Sequence, residues 1–106
     1  MIVRIWRGFA ASDKALDYER HVTQTVFPSL KDIAGHRGAY LLKRDAGGRV
    51  EFLAVTLWES IEAVCAFAGP NPHVAVVEPA GVAALTEFDS FVRHFELAYG
   101  DPRCSS

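Results

Sequence analysis

The chain has 106 residues, half of them hydrophobic and 23% charged, with a formal net charge of -2. That length points to one domain, and that composition excludes a disordered chain. The small negative charge gives no electrostatic drive toward nucleic acid or anionic lipid, so neither is an expected partner.

Residues 2 to 10, IVRIWRGFA, are β-branched and aromatic and read as a strand. Val3, Ile5 and Phe9 share one face of it, and Arg4 and Trp6 the other. The arginines rule out a signal peptide here. Ser12 or Asp13 offers an N-cap, and Ala15, Tyr18, Val22, Val26, Leu30 and Ile33 recur at helical spacing. The pattern predicts an amphipathic helix over 13–34 with a kink at Pro28, ended by Gly35.

Residues 38–44 and 50–58 flank Asp45-Ala46-Gly47-Gly48, a strong hairpin signal. On the second strand Leu53, Val55 and Leu57 face one way, and Phe52, Ala54, Thr56 and Trp58 the other. Both faces are apolar, so both call for burial. Ser60 caps a second helix bearing Ile61, Val64, Phe67 and Ala68, stopped at Gly69-Pro70. Asn71-Pro72 reads as an N-cap and first helical residue, which predicts a short helix to about Glu78. Pro79-Ala80-Gly81 reads as a turn, and residues 83–97 hold a last strand, where uneven spacing of Phe88, Phe91 and Phe95 points to a bulge.

The order strand, helix, strand, strand, helix, strand predicts an α+β fold, a ferredoxin-like βαββαβ antiparallel sheet with its helices on one face. The domain is expected over residues 1–97, with 98–106 as a flexible tail. Two helices cover only one face. The other is expected to carry Phe52, Ala54, Thr56, Trp58 and Trp6, and to pack against a second copy as a homodimer. Cys65 and Cys104 read as free thiols, and no apolar run spans a bilayer, so the expected location is the cytoplasm.

The stretches HVTQTVFPSLKDIAGHRGAYLLKR and VEFLAVTLWESIEAVCAFA, with a histidine soon after, resemble the dimeric α+β barrel superfamily. Within it they resemble the antibiotic-biosynthesis-monooxygenase-like (ABM) domains, over roughly residues 2–97. That resemblance implies a dimer and a cavity between sheet and helices. It implies one of several activities: cofactor-independent oxygenation of polycyclic aromatics, or haem degradation. Enzymes of this group typically carry an asparagine on the first strand, where this chain has Trp6 among arginines.

The resemblance places His73 where haem-binding relatives keep a ligand. If Pro72 starts a helix, the helix dipole keeps His73 neutral, as a base or an iron ligand. Otherwise it is a solvated loop residue. Trp6, Phe52 and Trp58 offer faces for a flat ligand, or fill a core. Arg4 beside them requires a carboxylate or an anionic ligand if it is buried. His21 reaches the cavity mouth or is solvated, and His36 and Arg37 read as surface. His94 faces the cavity or the dimer seam. No spacing among the histidines makes a metal motif. The leading expectation is a monooxygenase-like oxidoreductase without a cofactor, acting on a flat aromatic molecule. Haem bound by His73, and a non-enzymatic ligand-binding dimer, are the alternatives.

Overall fold

The computed structural model describes residues 1–76 and 79–101. Strand β1 (Ile2–Ala11) lies at the centre of the sheet. It pairs antiparallel with β3 (Arg49–Trp58) along its whole length, from Ile2 opposite Trp58 to Ala11 opposite Arg49. Strand β2 (His36–Asp45) forms the hairpin with β3 and makes one edge. The hairpin turns at Gly47 and Gly48, both in the left-handed region that glycine enters without a steric penalty. On the other side of β1 stand two short strands, β4 (Glu87–Phe88) and β5 (Arg93–Glu96). The expected last strand is therefore broken in two, and the irregular phenylalanine spacing marks the break.

The first helix starts later and stops earlier than 13–34. It runs as α1 (Ala15–His21), a π-helical stretch Val22–Val26, and α2 (Phe27–Leu30). Neither Ser12 nor Asp13 caps it. Lys14 occupies the N-cap without a side-chain bond, and the Ser12 hydroxyl donates to the Gly48 carbonyl at 3.0 Å. Pro28 has no N–H for the carbonyl four residues back. The wider π turn precedes it, with the Phe27 N–H bonded to the Val22 carbonyl. The chain absorbs the proline by this local change of pitch. Helix α3 (Ile61–Ala68) begins as expected, with the Ser60 hydroxyl accepting from the Ala63 N–H at 3.2 Å, and ends at Gly69.

Two further expectations fail. Residues 71–76 form no helix; a turn at Pro72–His73 leads into a bridge between Val74 and Phe91. Asn71 still caps locally, its side-chain oxygen accepting from the His73 N–H at 3.2 Å. A helix, α4 (Pro79–Ala84), begins where a turn was expected, with Pro79 in its first turn. Val77, Glu78 and the tail from Pro102, with Cys104, lie outside the described residues.

The two sheet faces are also exchanged relative to expectation. Trp6, Phe52 and Trp58 lie on the helix-covered side, where Trp6 and Phe52 pack with Tyr18, Val22 and Ala10 as the core. The face left open carries Val3, Ile5, Leu53, Val55 and Leu57, as the cross-strand register requires. Alternation separates the two sets, but with both faces apolar it does not say which set the helices take. Gly8, on the covered face, makes room for the Trp6 ring: a Cβ there would sit 2.8 Å from it.

Candidate functional site

A narrow cleft lies between the covered sheet face and the first helix. Its floor is Arg4 and Trp6 of β1 with Ala54 and Thr56 of β3. Its roof is Tyr18, His21, Val22, Val26, Phe27 and Leu30. Phe67 of α3, with Val76, Gly81 and Val92, completes the wall. The π-helical stretch thus lies directly over the cleft, and such turns often occur at functional sites.

Trp6 is fixed at both ends. Its indole N–H donates to the Asp89 carbonyl at 2.8 Å, and its ring packs between Tyr18 and Phe88, with centroids 6.3 and 6.0 Å away. Burial pushes the Tyr18 phenol well above its ordinary pKa, so it stays protonated.

Arg4 is the charged residue of the floor and is only 5% exposed. Residues 73–75 run extended beside residues 90–92, with the Val92 N–H on the His73 carbonyl at 2.8 Å and the Ala75 N–H on the Ser90 carbonyl at 3.0 Å. In an extended segment alternate carbonyls point the same way. Those of Pro72 and Val74 both accept from the Arg4 guanidinium, the second at 3.2 Å. A third partner is the His94 ring nitrogen Nε2, 3.0 Å from Nη1. Arginine only donates, so this contact makes Nε2 the acceptor and leaves the proton of a neutral ring on Nδ1. Among the described residues that buried Nδ1 has no hydrogen-bond partner. Burial, then Arg4, then His73 hold the His94 pKa below its ordinary value. Burial likewise lowers that of Arg4. Among the described residues no carboxylate pairs with Arg4, whose charge is met by carbonyl dipoles, one imidazole and the Phe67 ring, whose centroid is 5.7 Å from the guanidinium carbon.

The expected site residues divide into two groups. Arg4, Trp6 and His21 line the cleft together. Phe52 and Trp58 are fully buried and do not line it. Phe52 lies against Tyr18, with centroids 4.8 Å apart. Trp58 stacks on Phe67 at 5.5 Å and donates its indole N–H to the Thr56 hydroxyl at 2.9 Å. His73 is exposed on its turn, edge-on to His94 at 5.2 Å, and outside the cleft lining. His36 is not a surface residue. It is half-buried, 5.0 Å from the Trp58 ring, and burial lowers its pKa. Arg37 is exposed, as expected, and paired with Glu59. The sequence reading passed over Thr56 as a site residue. Its signal was the single hydroxyl of the strand VEFLAVTLW, directly opposite Arg4.

No protein-family model matches the chain, and no curated protein does. Solved structures do match it. The haem degrader MhuD from Mycobacterium tuberculosis, with two haems bound in its active site, is 22% identical, with a TM-score of 0.65 over 96% of this chain and all of that one. A MhuD mutant with two manganese protoporphyrin IX molecules per active site is also 22% identical, at 0.64 over 97% of this chain and 100% of that one. A candidate antibiotic biosynthesis monooxygenase from Bacillus cereus is 14% identical, at 0.63 over 99% of this chain and 98% of that one. The chain therefore has the ABM-type fold, a ferredoxin-like antiparallel sheet with its helices on one face.

Proposed function

We propose that the protein is a monooxygenase-like protein that takes a flat aromatic molecule bearing an anionic oxygen into the cleft. The observation that carries this reading is Arg4: a buried guanidinium on the floor of an aromatic-walled cleft, with no carboxylate partner among the described residues. Desolvating such a charge is costly unless it is paired, and an anionic ligand supplies the pair. Trp6 and Phe67 both contribute apolar ring surface to its lining.

In the chemistry that this arrangement suits, the substrate is a phenol and dioxygen is the oxidant. His21, the imidazole in the lining, takes the phenolic proton, and Arg4 holds an anionic oxygen carried by the same molecule. The anion passes an electron to dioxygen, and the two radicals join as a ring peroxide. The peroxide takes back the proton held on His21; the hydrogen on the ring carbon that bears it is then lost as the O–O bond breaks, and that hydrogen leaves with the outer oxygen as water, so that one oxygen stays on the ring as a carbonyl. The chain's part is to orient the ring and exclude water. Oxygen uptake with polycyclic phenols tests this. Turnover that is lost in His21→Ala and kept in His73→Ala supports it, and no uptake with any such phenol contradicts it.

Haem, which the MhuD structures hold, requires an imidazole aimed into the cleft if it is to be ligated there. His73 is exposed and outside the lining, so the residues present do not fit a haem ligated by His73.

The open sheet face supports a homodimer. Val3, Ile5, Leu53, Val55 and Leu57 form a continuous apolar surface, extended by Leu42 and Phe95, each 50% exposed. Charged pairs ring one end of it, Arg44 with Glu51 and Arg7 with Asp89. An apolar centre with a polar rim is the composition of a protein interface, and a second copy offers the same surface by two-fold symmetry.

A further inference from the structure

Thr56 is 7% exposed, lines the cleft, and stands directly opposite Arg4 across β1 and β3. Side chains so paired have Cβ atoms roughly 4.5–5.5 Å apart. The Thr56 oxygen already accepts the Trp58 indole N–H at 2.9 Å. A hydroxyl that accepts one bond still has its own hydrogen to donate. Among the described residues no acceptor for that hydrogen is found. Trp58 is fully buried and held by stacking on Phe67, so it fixes the hydroxyl oxygen from below.

Arg4 has donors to spare as well. A guanidinium has five N–H groups. Three meet the Pro72 carbonyl, the Val74 carbonyl and His94 Nε2. Two remain, with no partner among the described residues. Two adjacent side chains of the floor therefore offer three donor hydrogens, and among the described residues no oxygen or nitrogen accepts them.

We infer that the ligand carries a carboxylate, which Arg4 and Thr56 hold together, so that the cleft selects planar aromatic carboxylic acids. This rests on the reading of the cleft as the ligand site. A carboxylate brings two coplanar oxygens, matching a guanidinium fork, with lone pairs over for the hydroxyl. A phenolate has one oxygen and leaves donors unmet. Trp58 is then a positioning residue: it touches no ligand and directs the Thr56 hydroxyl toward one.

The test is calorimetric titration of the protein with 2-naphthoate and with 2-naphthol at neutral pH, where only the first is an anion. The expected result is at least about tenfold tighter binding of 2-naphthoate, the scale of hydrogen bonds to a charged group. Thr56→Val removes most of that preference. Thr56→Ser, which keeps the hydroxyl in case the valine variant does not fold, retains the preference. Trp58→Phe keeps the ring and weakens the preference, because the hydroxyl loses its fixed orientation. Equal binding of the two probes, or a full preference in Thr56→Val, overturns the carboxylate assignment while the cleft remains the ligand site. Binding of neither probe overturns both.

Discussion

Arg4 and His94 face each other across β1 and β5, with Nη1 3.0 Å from Nε2, and the contact requires a neutral imidazole. Protonating His94 removes the acceptor and places a second positive charge beside the guanidinium. His73, edge-on to His94, adds a third group of the same kind. The folded pKa of His94 is lowered, as is that of His36. The unfolded chain therefore binds these protons more readily than the folded one. The stability they contribute is complete above the ordinary histidine pKa of about 6.5 and is lost as pH falls through it toward the folded values. Thermal melts between neutral pH and pH of about 5 are expected to show a falling midpoint. In His94→Gln the fall is shallower. An unchanged pH profile in that variant contradicts the assignment.

Gly8 and Trp6 make a second pair that is open to test. A methyl group at Gly8 would stand 2.8 Å from the Trp6 ring, which is held by Tyr18, Phe88 and the Asp89 carbonyl. Gly8→Ala is expected to destabilise the fold by about 1–3 kcal/mol, the usual range for overpacking. Denaturant titration measures it. A neutral effect would mean that the ring swings aside freely, which these three contacts argue against.

The fold was largely legible in the sequence because turns and caps are local. Gly47-Gly48, Ser60 and Gly69 each do what their neighbours' pattern requires. The misplacements came where local rules competed with tertiary contacts. Asn71-Pro72 carries a helix-start signal, yet the next residues pair with residues 90–92 and never enter a helix. The covered sheet face was not legible because VEFLAVTLW is apolar on both sides. The same ambiguity hid the cleft. Trp58 looked like a ligand platform, and it lies one layer below, supporting Thr56. Arg4 was legible because a charge on an apolar face requires a reason wherever that face ends up.

The open face predicts the assembly. Light scattering at micromolar concentration is expected to give twice the chain mass. Val55→Lys, at the centre of the open face and opposite Ile5 and Tyr40, is expected to give the monomer mass with its helical signal intact. A wild-type monomer contradicts the dimer, and so does a Val55→Lys variant that stays dimeric.

The proposed binding site for a flat aromatic molecule is the cleft between Arg4, Trp6 and the π-helical stretch. The most direct test is an amide and indole ¹H–¹⁵N spectrum of the labelled protein during titration with 2-naphthoate. Saturable shifts are expected at the Trp6 indole N–H, at Thr56 and along Val22–Val26, with the outer-face residues Leu53 and Val55 moving less. Shifts confined to the open face, or none at saturating ligand, would contradict it.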